Sequence, residues 1–148
     1  MVPSVPLVLN RLARTMLMDL LPHVSHAYAG QTLQLGAALS MMCAQEFDRA
    51  AARLAEENAA LTALFADAGA AIADPGLRAD LQSATAATSD SLVVSALHER
   101  NRTLRALLVR LHAHVETLDG GSARALQARI WSELVESTRR RHLDLAQA

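Results

Sequence analysis

Two asparagines stand where an apolar side chain is expected. Asn58 falls in the heptad Phe47, Ala51, Leu54, Asn58, Leu61, Phe65, Ala68, Ile72, and Asn101 in the heptad Val94, Leu97, Asn101, Leu104, Leu108, Leu111, Val115, Leu118. A polar side chain on a buried stripe needs a hydrogen-bonding partner. It either fixes the register of neighbouring helices or presents itself to a ligand. The last apolar stripe turns polar in the same way: Leu126, Ile130 and Leu134 are followed by Ser137 and Arg141. Folding about Gly120-Gly121 sets Asn101 near Thr138 to Arg141, with His98 and His142 on the margin. The candidate ligand-binding residues are therefore Asn58, Asn101, Thr138, Arg141 and His98. Mutual pairing of the two asparagines is the plainer expectation, because buried amides need partners but need no ligand.

Catalytic chemistry finds little support. A di-iron bundle needs Glu-x-x-His on two helices, so that carboxylate and imidazole share a face. At that spacing Glu46 is followed by Arg49, Glu57 by Ala60, Glu99 by Arg102 and Glu133 by Glu136. His112 and Glu116 share a face, but two ligands are too few to hold a metal. His98 and His112 lie about 21 Å apart on a straight helix. Cys43 sits beside the long stripe, where a buried, inert thiol is the expectation. Glu46 reads as a solvated flank with Arg49 at i+3. Gly120-Gly121 follows a helix and is too short to cradle a phosphate. No catalytic residue, metal or cofactor is expected.

The elements that position these residues are all helical. Alanine and leucine dominate, and aromatic residues make up only 3% of the chain, so the core must be built from helix formers. The expected fold is an all-α, up-and-down bundle of four main helices, in one domain over 1–148. An N-terminal helix over about 6–21 carries a stripe of Leu9, Leu12, Met16 and Leu20, and Pro22 ends it. A very long helix follows over about 25–72. Asp74-Pro75 then starts a short helix over 75–86, with Asp as cap and Pro at the first helical position. Ser89 or Asp90 caps a helix over about 91–118, and Ser122 caps the last, over about 123–145.

The two asparagine-bearing helices share a pattern at an offset of 43 residues, pairing Leu54, Glu56, Asn58, Leu61 and Leu64 with Leu97, Glu99, Asn101, Leu104 and Leu107. Leucine periodicity matches itself by chance, but the coincident Glu and Asn are not required by it. Short connections favour antiparallel neighbours, so the helices over 91–118 and 123–145 pair in that way about their Gly-Gly turn, and the helices over 25–72 and 91–118, though joined by a longer excursion, are also set antiparallel. That arrangement puts both asparagines at similar height, about 16–21 Å from one end. No full-length fourth helix covers that level.

The formal net charge is −1, and all fourteen basic residues are arginine, a bias of bacterial type. Nucleic acid and anionic membranes call for a basic face, which is absent from this pattern. Arg139-Arg140-Arg141 reads as a solvated helix end. The apolar run from Met1 to Leu21 has no basic start and is interrupted by Arg11, Arg14 and Asp19, so neither a leader nor a span is expected. With a single cysteine this favours a cytoplasmic protein. Helix 6–21 carries more apolar surface than one stripe needs, and Met41 and Met42 add to the end it covers. Surplus of that kind suggests subunit contact. The leading expectation is a non-catalytic bundle acting through self-association, as a homodimer, or through another protein. The alternative is a binding module for a small, mostly apolar ligand at the polar layer, and the third reading is a metal-dependent bundle enzyme.

Overall fold

Helix signals in the chain are realised nearly where the residues place them. The computed structural model describes residues 3–87 and 91–143. Helix α1 is Val5–Arg14, continued by a π-helical turn over Thr15–Leu20 and a 3-10 turn over Leu21–His23. Helix α2 is Ala27–Ala68, α3 is Pro75–Ala86, α4 is Val94–Val115 and α5 is Gly121–Arg140. Among the described residues there is no strand.

Caps explain the ends. The Ser4 hydroxyl accepts from the Leu7 amide and starts α1. The Asp74 carboxylate accepts from the Leu77 amide at 2.6 Å, and Pro75 follows at the first helical position. Helix α2 stops at Ala68, short of 72, because Gly69 begins a turn; Ile72 is nevertheless fully buried. Helix α4 starts at Val94 with no side-chain cap, and α5 ends at Arg140, short of 145. The expected caps Ser89 and Asp90 lie outside the described residues, as do 144 and 145. Gly120, not Ser122, caps α5. Its φ of 109° and ψ of 178° belong to glycine alone, and the helix therefore begins at Gly121.

The chain divides into two compact units, one formed by residues 1–50 and 142–148, the other by Ala51–Arg141. The second unit holds the large side chains of the core: Leu54, Leu61, Phe65, Ile72, Leu81, Leu111 and Ile130 are all nearly sealed from water. Its topology follows from named contacts. Arg129 binds Asp67 and Ser137 binds Glu57, so α5 runs antiparallel to α2. Trp131 packs edge-on to His112 and Ser137 meets Arg105, so α5 also runs antiparallel to α4. Helices α2 and α4 are therefore parallel, which corrects the antiparallel expectation. The physical reason is α3. It descends from the end of α2, with Asp80 held by Arg110, and α4 rises again from Val94. Helices α2, α3, α4 and α5 thus run up, down, up and down.

The first unit is a helical hairpin. A Cβ placed on Gly30 would touch Leu21, and one on Gly36 would lie 3.4 Å from the Met16 sulfur. Nearer its open end, Ser4, Pro6 and Asn10 face Ala44, Gln45 and Asp48 across a shallow groove. The contacts descend in register, so α1 lies antiparallel to the first half of α2. Ala13, Ala37, Ala44 and Ala50 are its buried apolar residues. Small residues let the two backbones approach, and the large neighbours splay outward. Leu12, Leu20 and Phe47 are accordingly exposed, contrary to the stripes assigned to them, and Val94 is exposed at the start of α4. Cys43 is exposed as well, not buried. In the π turn the Leu21 amide reaches back to Met16, which shifts the phase and takes Leu20 off the stripe.

Gly120 gives a direct check on this frame. Gly120→Ala places a side chain in a backbone region reserved for glycine and lowers stability by about 1–3 kcal/mol. Gly121→Ala, in open space at the start of α5, leaves stability nearly unchanged. Urea denaturation of the two variants reads the difference.

Candidate functional site

The polar layer exists, and its centre is a residue that the stripe assignment passed over. Glu57 is 0% exposed. Leu54 and Leu61 are buried seven residues apart on α2, and both Glu57 and Asn58 fall between them at helical spacing. The sequence pattern assigns that slot to Asn58 alone. The signal for Glu57 was its i+3 and i−4 distance from the two leucines, masked by the usual rule that a carboxylate faces water.

A carboxylate out of water requires donors, and two helices supply them. From α4, Arg105 Nη1 donates to Glu57 Oε1. From α5, the Ser137 hydroxyl donates to the same oxygen at 2.9 Å. Arg141, the residue that closes α5, donates from Nη2 to Oε1 at 2.9 Å and to Oε2 at 3.0 Å. Arg105 also donates to the Ser137 hydroxyl at 3.0 Å, so that hydroxyl accepts from one group and donates to another. Burial by itself pushes the Glu57 carboxyl up. The hydrogen bonds from Arg141, Ser137 and Arg105, with the Arg141 charge, outweigh it and hold the carboxyl below its ordinary value of 4.5. The two guanidiniums are partly open to solvent while the carboxylate is not. One negative and two positive charges therefore meet here, with the positive ends facing water.

The asparagines form the adjoining half of the layer. Asn101 Nδ2 donates to Asn58 Oδ1 at 3.0 Å, and Asn58 Nδ2 donates to the Leu97 carbonyl at 3.1 Å. Both atoms of the Asn58 amide are thus engaged within the protein. The pairing links residues 43 apart, the offset of the repeated pattern. Parallel helices in that register set like positions side by side, and an asparagine pair in such a seam defines alignment.

Of the five residues proposed from sequence, the structure brings together Asn58, Asn101 and Arg141. Thr138 faces outward and donates to the Leu134 carbonyl within its own helix. His98 is exposed and belongs to neither half of the layer. Ser137, expected on the stripe, is buried at the centre. Beyond the end of α3 an open groove of about 810 Å³ runs along α2, lined by alanines, leucines and small hydroxyl side chains, with Asn58 and Arg100 among its polar residues. His112, half-buried against Trp131, lies 3.6 Å from Glu116 at the end of α4. Among the described residues, no group of three His, Cys, Asp or Glu side chains is placed to hold a metal ion. Nor, among them, is any helix long and apolar enough to cross a membrane. In comparison with known proteins, the chain matches no family model, no curated protein and no solved structure.

Three substitutions separate the halves of the layer. Asn58→Leu strands the Asn101 amide and costs about 1–3 kcal/mol, whereas Asn58→Leu with Asn101→Leu removes both partners and returns towards the parent stability. Denaturant melts of the single and double variants measure this. Glu57, with its folded value depressed, contributes stability that is present above the ordinary carboxylate value and is lost as pH falls through the folded value. Glu57→Gln is therefore about 1–3 kcal/mol less stable than the parent at pH 7. The gap narrows as acid protonates Glu57, and urea melts at pH 7 and pH 3 follow it.

Proposed function

We propose that this protein works by protein contact, as a self-associating helical bundle without a catalytic centre. One observation carries the reading. Among the described residues, the fully buried apolar side chains of the hairpin unit are alanines, while α1 exposes Val5, Val8, Leu12 and Met18, and α2 exposes Tyr28, Leu35, Leu39 and Phe47. A unit of some fifty residues gains little stability from buried alanine methyls. Its large apolar side chains gain theirs when a further surface covers them. Large apolar side chains left exposed in that number on one small unit favour association.

The polar layer supports the same reading from the other side. Its buried carboxylate, hydroxyl and amides are satisfied by one another, so they act as register locks for the helices that carry them. An exposed single thiol suits a reducing compartment, and a cytoplasmic location belongs to this proposal.

Sedimentation velocity across a hundredfold range of concentration tests the proposal. The expected result is a species of twice the 15.9 kDa chain mass that persists on dilution into the micromolar range. A monomer at the highest concentration overturns it.

A further inference from the structure

Arg105 and Arg140 are half-buried, and each is held by a carboxylate, Glu57 for the one and Glu133 for the other. Arg100 on α4 is also half-buried. Among the described residues no hydrogen bond or ion pair engages its guanidinium. A cation drawn partly out of water without a counter-charge keeps an unmet demand for an anion.

Arg100 lines the open groove of about 810 Å³ beside α2. The parallel register, in which Asn101 pairs with Asn58 43 residues earlier, sets Arg100 level with Glu57 and next to Asn58. From Asn58 the wall runs along α2 through Ala59, Ala63 and Ala66, which share one helical face over about 12 Å. The other polar side chains of the groove are engaged within the protein. The Asn58 amide is held by Asn101 and the Leu97 carbonyl. The Thr62 hydroxyl donates to the Asn58 carbonyl at 2.8 Å, and the Thr85 hydroxyl donates to the Gln82 carbonyl at 2.8 Å. The Ser91 hydroxyl accepts from the Val93 amide at 3.3 Å. The groove thus has one uncompensated charge near one end and an apolar run leading away from it.

We infer that the groove binds a single-chain amphiphile with an anionic head, a fatty acid, with its carboxylate on Arg100 and its chain along the alanines. One unpaired cation matches one carboxylate, and the engaged hydroxyls make no further polar demand. A volume of about 810 Å³ falls among the sizes that small ligands occupy, about 300–1,000 Å³. A protein partner fits less well, since a specific interface takes roughly 800 Å² from each side and alanine methyls over about 12 Å offer far less. A slender chain instead fills the recess that small side chains leave. The groove is formed within the second unit, so its ligand is independent of the self-association proposed for the hairpin.

Isothermal titration of the full-length protein with decanoate, kept below its micelle concentration, reads the site. The expected result is one molecule per chain with a submillimolar Kd, bound more tightly than decanol. Arg100→Ala weakens decanoate about tenfold, the contribution of one charge-assisted hydrogen bond, and leaves decanol unchanged. Ala63→Leu, at an exposed position, fills the groove and weakens both ligands about tenfold. Circular dichroism confirms the fold of each variant. Absence of binding overturns the inference. Parent affinity for decanoate in both variants overturns it too, because the chain then binds elsewhere on the surface. An equal loss of decanoate and decanol in Arg100→Ala takes the carboxylate away from Arg100 and has the same consequence. A dimer that Ala63→Leu splits, in a protein that takes up no decanoate, assigns the groove to a second copy instead.

Discussion

A carboxylate removed from water must be met by hydrogen-bond donors, and at Glu57 that requirement organises three helices. Its oxygens draw Arg105 from α4 and Ser137 and Arg141 from the end of α5. Each of these side chains reaches Glu57 in one alignment of its helix, so the ion cluster sets axial position where leucine packing would tolerate a slide of one turn. The partly open guanidiniums reduce the desolvation that burying two full ion pairs would bring. Burial of the acid is therefore sustained by bases that keep one side in water.

The asparagine pair acts on the same question by a neutral route. Leucine seams specify that two helices touch; they specify weakly which turn meets which. Asn58 and Asn101 lose hydrogen bonds if α4 moves by a turn against α2, because the partner of each is then a leucine. Parallel packing in register makes the repeated pattern structurally meaningful, since equivalent positions of the two segments lie beside one another. The Glu57 cluster and the amide pair sit on neighbouring faces of one turn of α2, so two adjacent residues, Glu57 and Asn58, hold most of the directional information in this unit.

Much of this architecture is legible in the residues. The all-α class, the long helix and the 75–86 helix follow from periodicity and from the Asp74-Pro75 signal, and four of the polar-layer residues, Asn58, Asn101, Ser137 and Arg141, follow from breaks in the stripes. Glu57 was not legible, because side-chain charge ordinarily predicts exposure and its partners lie far along the chain. The direction of α4 was not legible either. The short helix α3 puts two reversals between α2 and α4, and connection length alone does not distinguish one reversal from two. In the hairpin the periodicity of large residues misled about burial. Leu12 and Phe47 obey helical spacing, yet the close approach is made by Ala13, Ala37 and Ala44, whose small size carries no strong hydrophobic signal.

The separation of Glu57 from its donors has a further consequence during synthesis. They lie 48, 80 and 84 residues downstream. A chain leaving the ribosome exposes α2 long before the arginine that closes α5 exists. Until then the carboxylate has no reason to leave water, and the turn that bears it keeps its most polar side outward. Helices α4 and α5, joined by a tight glycine turn, are near neighbours in sequence and can pair quickly once made. The cluster around Glu57 can therefore close only after nearly the whole second unit has been made.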